Sequence, residues 1–114
     1  MLFESLDKRI MKLSPRVKKE YKKLYVAYKL DTNFVDIVFQ KQRLRISINM
    51  KFSELNDPNG ICKDISGLGR WGNGYVELFM EHQDELDQIM EIVKQSYDAQ
   101  AEGGIDCGLA INIL

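Results

Sequence analysis

Leu2, Phe3, Leu6, Ile10 and Leu13 recur at three- and four-residue steps, so the chain opens with an amphipathic helix that lays one stripe on a core. Ser14-Pro15 ends that helix. Ser is a favoured N-cap and Pro a favoured first helical residue, so the pair predicts a second, short and very basic helix from Pro15 to about Lys23. Its exposed face would carry Lys18, Lys19, Lys22 and Lys23. From Leu24 the period changes to two. Leu24 to Leu30, Phe34 to Gln40 and Arg43 to Met50 each read as a strand, joined by connections short enough to make them antiparallel neighbours. In the last of these Leu44, Ile46, Ile48 and Met50 take one face and Arg43, Arg45, Ser47 and Asn49 the other, so one face is core and the other wet. Asn56 to Gly60 is a dense turn cluster, with Ile61 to Ile65 and Tyr75 to Met80 as further strand candidates. Leu86, Ile89, Met90, Val93 and Tyr97 restore the helical stripe, and Asp84, Glu85 and Asp87 suit the positive end of a helix running from about Gln83 to Gln100.

The fold expected from this pattern is α+β: an antiparallel meander of four or five strands packed against N-terminal and C-terminal helices on its apolar face. Residues 1–102 form a single domain of this kind. Gly103-Gly104 would break the last helix and leave 103–114 as an apolar tail, which suits an added edge strand, a partner-binding segment or the vestige of a longer chain.

A chain of 114 residues with 45% hydrophobic content buries enough surface to fold without metal or disulfides. The near-neutral net charge of −1 conceals a division: residues 1–51 hold 13 Lys/Arg against five Asp/Glu, and 52–114 hold three against twelve. Such halves either neutralise each other on packing or offer a basic face to nucleic acid. Cys62 and Cys107 form no C-x-x-C, and the single histidine, His82, excludes a histidine-pair metal site. Charge begins at Glu4 and no apolar run approaches a membrane span, so a soluble, cytoplasmic protein is expected, without a cofactor and without membrane contact.

Gly67-Leu68-Gly69-Arg70-Trp71-Gly72-Asn73-Gly74 gathers four of the eight glycines around the one tryptophan. Gly67, Gly69 and Gly72 fit a dinucleotide-site spacing, but that motif must open a helix, and a strand follows here. A restriction-type nuclease needs an acid and then Glu-x-Lys on adjacent strands; the one Glu-x-Lys, Glu20-Tyr21-Lys22, falls in the predicted basic helix. Asp36, Asp57, Asp64 and Glu77 are acids that folding could gather, whereas His82 reads as a surface or capping residue. No catalytic set and no metal site is assigned. The best binding constellation is basic: Lys18, Lys19, Lys22 and Lys23 on the predicted helix, Lys41, Arg43 and Arg45 on a strand, and Arg70 with Trp71 in the glycine loop, for phosphate contacts and base stacking. Trp71 could equally plug the core, and Arg43 and Arg45 could pair with Asp36 and Glu77 across the sheet.

Leu24-Tyr25-Val26-Ala27-Tyr28-Lys29, Thr32 to Asp36, Lys41 to Arg45, Phe52 to Pro58 and Gly69 to Gly74 together resemble a bacterial family of uncharacterised function. The resemblance runs from about Leu2 to Gln100. It implies a compact helix–sheet–helix domain found alone or at the C-terminal end of larger proteins, some nuclease-like or restriction-associated and some labelled predicted transport proteins. The expectation is therefore a non-catalytic interaction or accessory domain beside a restriction or DNA-processing system, with a protein partner or a homodimer. A nucleic-acid-binding module is the alternative, and a small-ligand pocket mouthed by Arg70 and Trp71 ranks third.

Overall fold

The computed structural model describes residues 2–65 and 75–109, without the side chains of 102–109. It is α+β, with a six-stranded antiparallel sheet and one helix at each end of the chain. Helix α1 spans Leu2–Met11, and the strands are β1 (Lys18–Tyr21), β2 (Val26–Lys29), β3 (Asn33–Phe39), β4 (Leu44–Ile48), β5 (Lys63–Asp64) and β6 (Val76–Met80). Helix α2 spans Leu86–Leu109. The strand order is β1-β2-β3-β4-β6-β5, so the meander holds through β4, and β6 then takes the next place with the two-residue β5 outside it.

The period-two reading of Leu44, Ile46 and Ile48 is realised: all three are buried, in one cluster with Ile37, Leu78, Met80, Ile89 and Val93. In α1 the buried positions are Leu6 and Ile10, one turn apart as the helical stripe requires. Both helices cover this apolar face, so Arg43 and Arg45, of opposite parity on their strand, are on the other one. Helix α2 is tied down by polar bonds as well as packing. Ser96 Oγ donates to the Phe34 carbonyl (2.8 Å), Gln100 Nε2 to the Asn33 carbonyl (2.8 Å), and the Gln95 amide exchanges two bonds with the Asn56 backbone (2.7 and 2.8 Å). Its start is capped by Glu85, whose carboxylate accepts the Glu81 and His82 amides at 2.7 and 3.0 Å. His82 is the exposed residue at that boundary, as expected.

Two expectations are corrected. The basic helix over 15–23 is absent, and its centre is strand β1, registered Lys18↔Lys29, Lys19↔Tyr28, Glu20↔Ala27 and Tyr21↔Val26. The Ser14 cap signal is real, since its Oγ accepts the Arg16 amide at 2.9 Å, but it produces only a turn. Residues 18–23 offer no apolar stripe to hold a helix on the core, whereas β2 offers a full backbone ladder. In addition α2 runs through Gly103 and Gly104 instead of breaking there. Glycine weakens a helix by about 1 kcal/mol relative to alanine but, unlike proline, forbids nothing. Residues 110–114 of the expected tail are outside the described residues.

Strand β1 is fixed by a polar pin under α1. The Asp7 carboxylate accepts the buried Tyr28 hydroxyl at 2.7 Å and the Lys19 ammonium at 3.0 Å. Burial above all, then Asp7, holds the Tyr28 phenol well above its ordinary 10.0, and the bond to Asp7 raises Lys19 above its ordinary 10.5. Both groups keep their protons in the fold at a pH where the unfolded chain is losing them. That contribution is complete below pH 10.0 and lost as pH rises through the folded values. Asp7→Ala, which strands a buried hydroxyl, is predicted to cost about 1–3 kcal/mol in urea unfolding, and Tyr28→Phe about 0.5–1.5 kcal/mol. Tyr28→Phe should also flatten the alkaline fall in stability. No loss of stability in Asp7→Ala, or an unchanged alkaline limb in Tyr28→Phe, would contradict the pin.

Candidate interaction surface

Strand alternation divides the expected basic cluster. Lys19 turns under α1 to Asp7, while Lys18 and Glu20 take the opposite face of β1, where Glu20 is bridged by Lys22 and Lys29 at 3.3 Å each. The Lys22 and Lys29 ammoniums hold the Glu20 carboxyl below its ordinary range. On the same side of the sheet, but buried, Arg45 Nε faces Glu77 at 3.9 Å, as one of the sequence alternatives had it. Arg43 does not reach Asp36. Its guanidinium lies 3.8 Å over the Phe79 ring, donates to Gln40 at 2.7 Å and meets Glu81 at 3.8 Å. Among the described residues Lys18, Lys23 and Lys41 form no ion pair, and all three are exposed. Arg70 and Trp71 are outside the described residues, and with them the glycine loop, its dinucleotide-like spacing and the pocket mouth.

The acids on this face follow one row across the sheet: Glu20, Ala27, Asp36, Ser47, Glu77 and Lys63 are successive cross-strand neighbours. Glu20-Tyr21-Lys22 thus belongs largely to a strand, contrary to the helical reading. Ala27 stands between Glu20 and Asp36, however, putting about 10 Å between their Cα atoms. Asp36 is buried and accepts Asn33 Nδ2 at 3.0 Å. The other two acids do not join them. Asp57 closes its turn by accepting the Ile61 and Cys62 amides, and Asp64 alternates to the other side of β5 from Lys63. Among the described residues no three of His, Cys, Asp and Glu gather in a metal-ligating group.

The least expected feature is apolar. Lys22 N–H donates to the Tyr25 carbonyl at 2.8 Å and closes the β1–β2 hairpin, with Lys23 and Leu24 at the two central positions. Two-residue hairpins favour Asn or Gly there; here a leucine stands at the tip, 60% exposed. Continuing the register places Leu24 and Tyr25 beside Phe39 and Val38 at the end of β3. Tyr21 and Phe39 are 69% and 56% exposed, and with Leu24, Tyr25, Val38, Lys22 and Lys23 they line an open cleft of about 540 Å³. Tyr28 is wholly buried, whereas Tyr25 and Phe39 line this cleft beside Tyr21 and Leu24. The available signal was the interleaving of apolar and lysine residues in Tyr21-Lys22-Lys23-Leu24-Tyr25.

No described helix is long and apolar enough to cross a membrane. Burial above all, then the Asp57 carboxylate, pushes the Cys62 thiol up to about 12, so at neutral pH it is not a thiolate nucleophile. In a Cys107→Ser chain, alkylation of Cys62 by iodoacetamide at pH 8 is predicted to run at least about ten-fold slower than that of free cysteine. An equal rate would contradict this environment.

The family model described as a domain of unknown function (DUF5655) matches residues 1–100. An uncharacterised protein of Haemophilus influenzae is 39% identical over 95 residues, which cover 83% of this chain and 32% of that protein. The chain therefore spans about a third of the length of this relative. No solved structure matches the chain significantly.

Proposed function

The chain belongs to the DUF5655 family of domains of unknown function, and we propose that it is a non-catalytic, cytoplasmic interaction domain whose contact surface is the hairpin-end cleft. The observation that carries this reading is the exposure of Tyr21, Leu24 and Phe39 together at one end of the sheet, the three most exposed large hydrophobic residues among those described. An exposed leucine at a turn contributes little to folding, and a contiguous apolar patch of this kind is a usual mark of a contact site. The relative supports it too, since most of that protein is outside the matched region and domains of this type can work joined to other parts of a chain. The resemblance to restriction-associated and nuclease-like proteins favours a setting beside a DNA-processing system, with the domain positioning a partner.

Nucleic-acid binding is the second reading, favoured by Lys18, Lys23 and Lys41, which are exposed and form no ion pair among the described residues. Against it, Lys19, Lys22, Arg43 and Arg45 are each engaged by an acid, and Lys19 is on the opposite face from Lys18. A photo-crosslinking side chain at Leu24 is predicted to give discrete protein adducts in cells that carry the gene, absent when the same group replaces the exposed Glu91 on α2. Identical adducts at both positions would contradict the assignment. Nucleic-acid adducts at Leu24, with anisotropy showing micromolar DNA or RNA binding that collapses between about 50 and 200 mM salt, would put the second reading first.

A further inference from the structure

Resting on the interaction reading, we infer that the hairpin-end cleft takes an acidic peptide segment bearing at least two large apolar side chains. The apolar part follows from the walls. Leu24 and Phe39 are exposed on neighbouring strand ends, Tyr25 and Val38 are the next pair along the two strands, and the cleft volume of about 540 Å³ falls among ligand-sized clefts. Water is expelled from such a surface only by apolar groups that enter it.

The charge follows from the lining. Its only ionic side chains are Lys22 and Lys23. The nearby acid, Glu20, is shared by Lys22 and Lys29, and Lys23 has no ion pair among the described residues. Lys41, two positions beyond Phe39, adds positive charge that nothing among the described residues pairs with. A negatively charged occupant relieves this repulsion while its apolar side chains fill the cleft.

A protein segment is favoured over nucleic acid by what surrounds the aromatics. Phe39 already packs on Phe3, with ring centroids 4.8 Å apart, and Lys19 is 5.4 Å from the Tyr21 ring centre. Around the cleft the exposed or half-exposed cations Lys22 and Arg43 are already met by Glu20 and Glu81, which leaves a poor track for a phosphate backbone. Leu24 and Val38 are aliphatic and offer no stacking plate.

The test is selection of a displayed library of random 16-residue peptides on the whole chain. Recovered peptides are then synthesised with a fluorescent label and measured by anisotropy against wild type, Leu24→Ser/Phe39→Ser and Lys22→Glu/Lys23→Glu, with thermal melts confirming that each variant folds. The expected result is recovered peptides of net negative charge with two or more large apolar residues. Their affinity falls at least ten-fold in both variants, and falls again when salt is raised from about 50 to 200 mM. Neutral or basic peptides that still depend on Leu24 would overturn the acidic assignment while sparing the interaction reading. Peptides indifferent to both variants, or no recovered peptide, would overturn both. Displacement of the peptides by a 16-nucleotide oligothymidylate that binds more tightly would assign the cleft to nucleic acid and overturn the inference.

Discussion

A single carboxylate under the first helix organises the end of the molecule that matters for contact. Asp7 is largely enclosed, and a carboxylate in that position is tolerated only if donors reach it. Tyr28 and Lys19 are those donors, one from each strand of the first hairpin. Once Lys19 is drawn inward, the two-residue period of a strand sends Lys18 and Glu20 outward and aims Tyr21 to the helix-side face. The hairpin tip with Leu24 then stands beside the end of β3. The pin thereby connects α1 to β1, β1 to the cleft, and the cleft to any partner it holds.

Folding consumes part of the division of charge between the halves of the chain. Arg9 pairs with Asp87 at 3.0 Å, Arg43 with Glu81 and Arg45 with Glu77, each joining a cation of the first half to an acid of the second. Exposed pairs of this kind add little stability individually. Their main effect is on the field: they interrupt the positive surface that phosphate binding needs, while lysines without an ion pair among the described residues stay spread over α1, the first hairpin and the β3–β4 turn.

The sheet, its apolar face and both helices were legible because Leu44, Ile46 and Ile48, or Leu6 and Ile10, declare their period within a few residues. Strand β1 was not legible. Lys18-Lys19-Glu20-Tyr21 has no apolar alternation, and the partner that turns Lys19 inward is twelve residues away in sequence. The Ser14-Pro15 signal suits a helix start, but its chemistry guarantees only the first turn, and a turn is what forms. The basic residues look like one set in the sequence, but strand alternation puts Lys19 and Lys18 on opposite faces, and which of them are paired depends on cross-strand acids that no local pattern reveals. The exposed Leu24 was hidden for the opposite reason: a leucine at the start of an apolar run looks like core until the turn position is known.

The central claim is that Asp7 makes residues 18–21 a strand with Lys19 turned inward. It is tested most directly by backbone chemical shifts and amide hydrogen exchange in the wild type and in Asp7→Ala. The account predicts strand-type shifts from Lys18 to Tyr21 in the wild type, and in the variant a loss of protection confined to β1 and β2 while β3 and β4 stay protected. Helical shifts at 18–21, or protection of β1 and β2 that does not depend on Asp7, would contradict it.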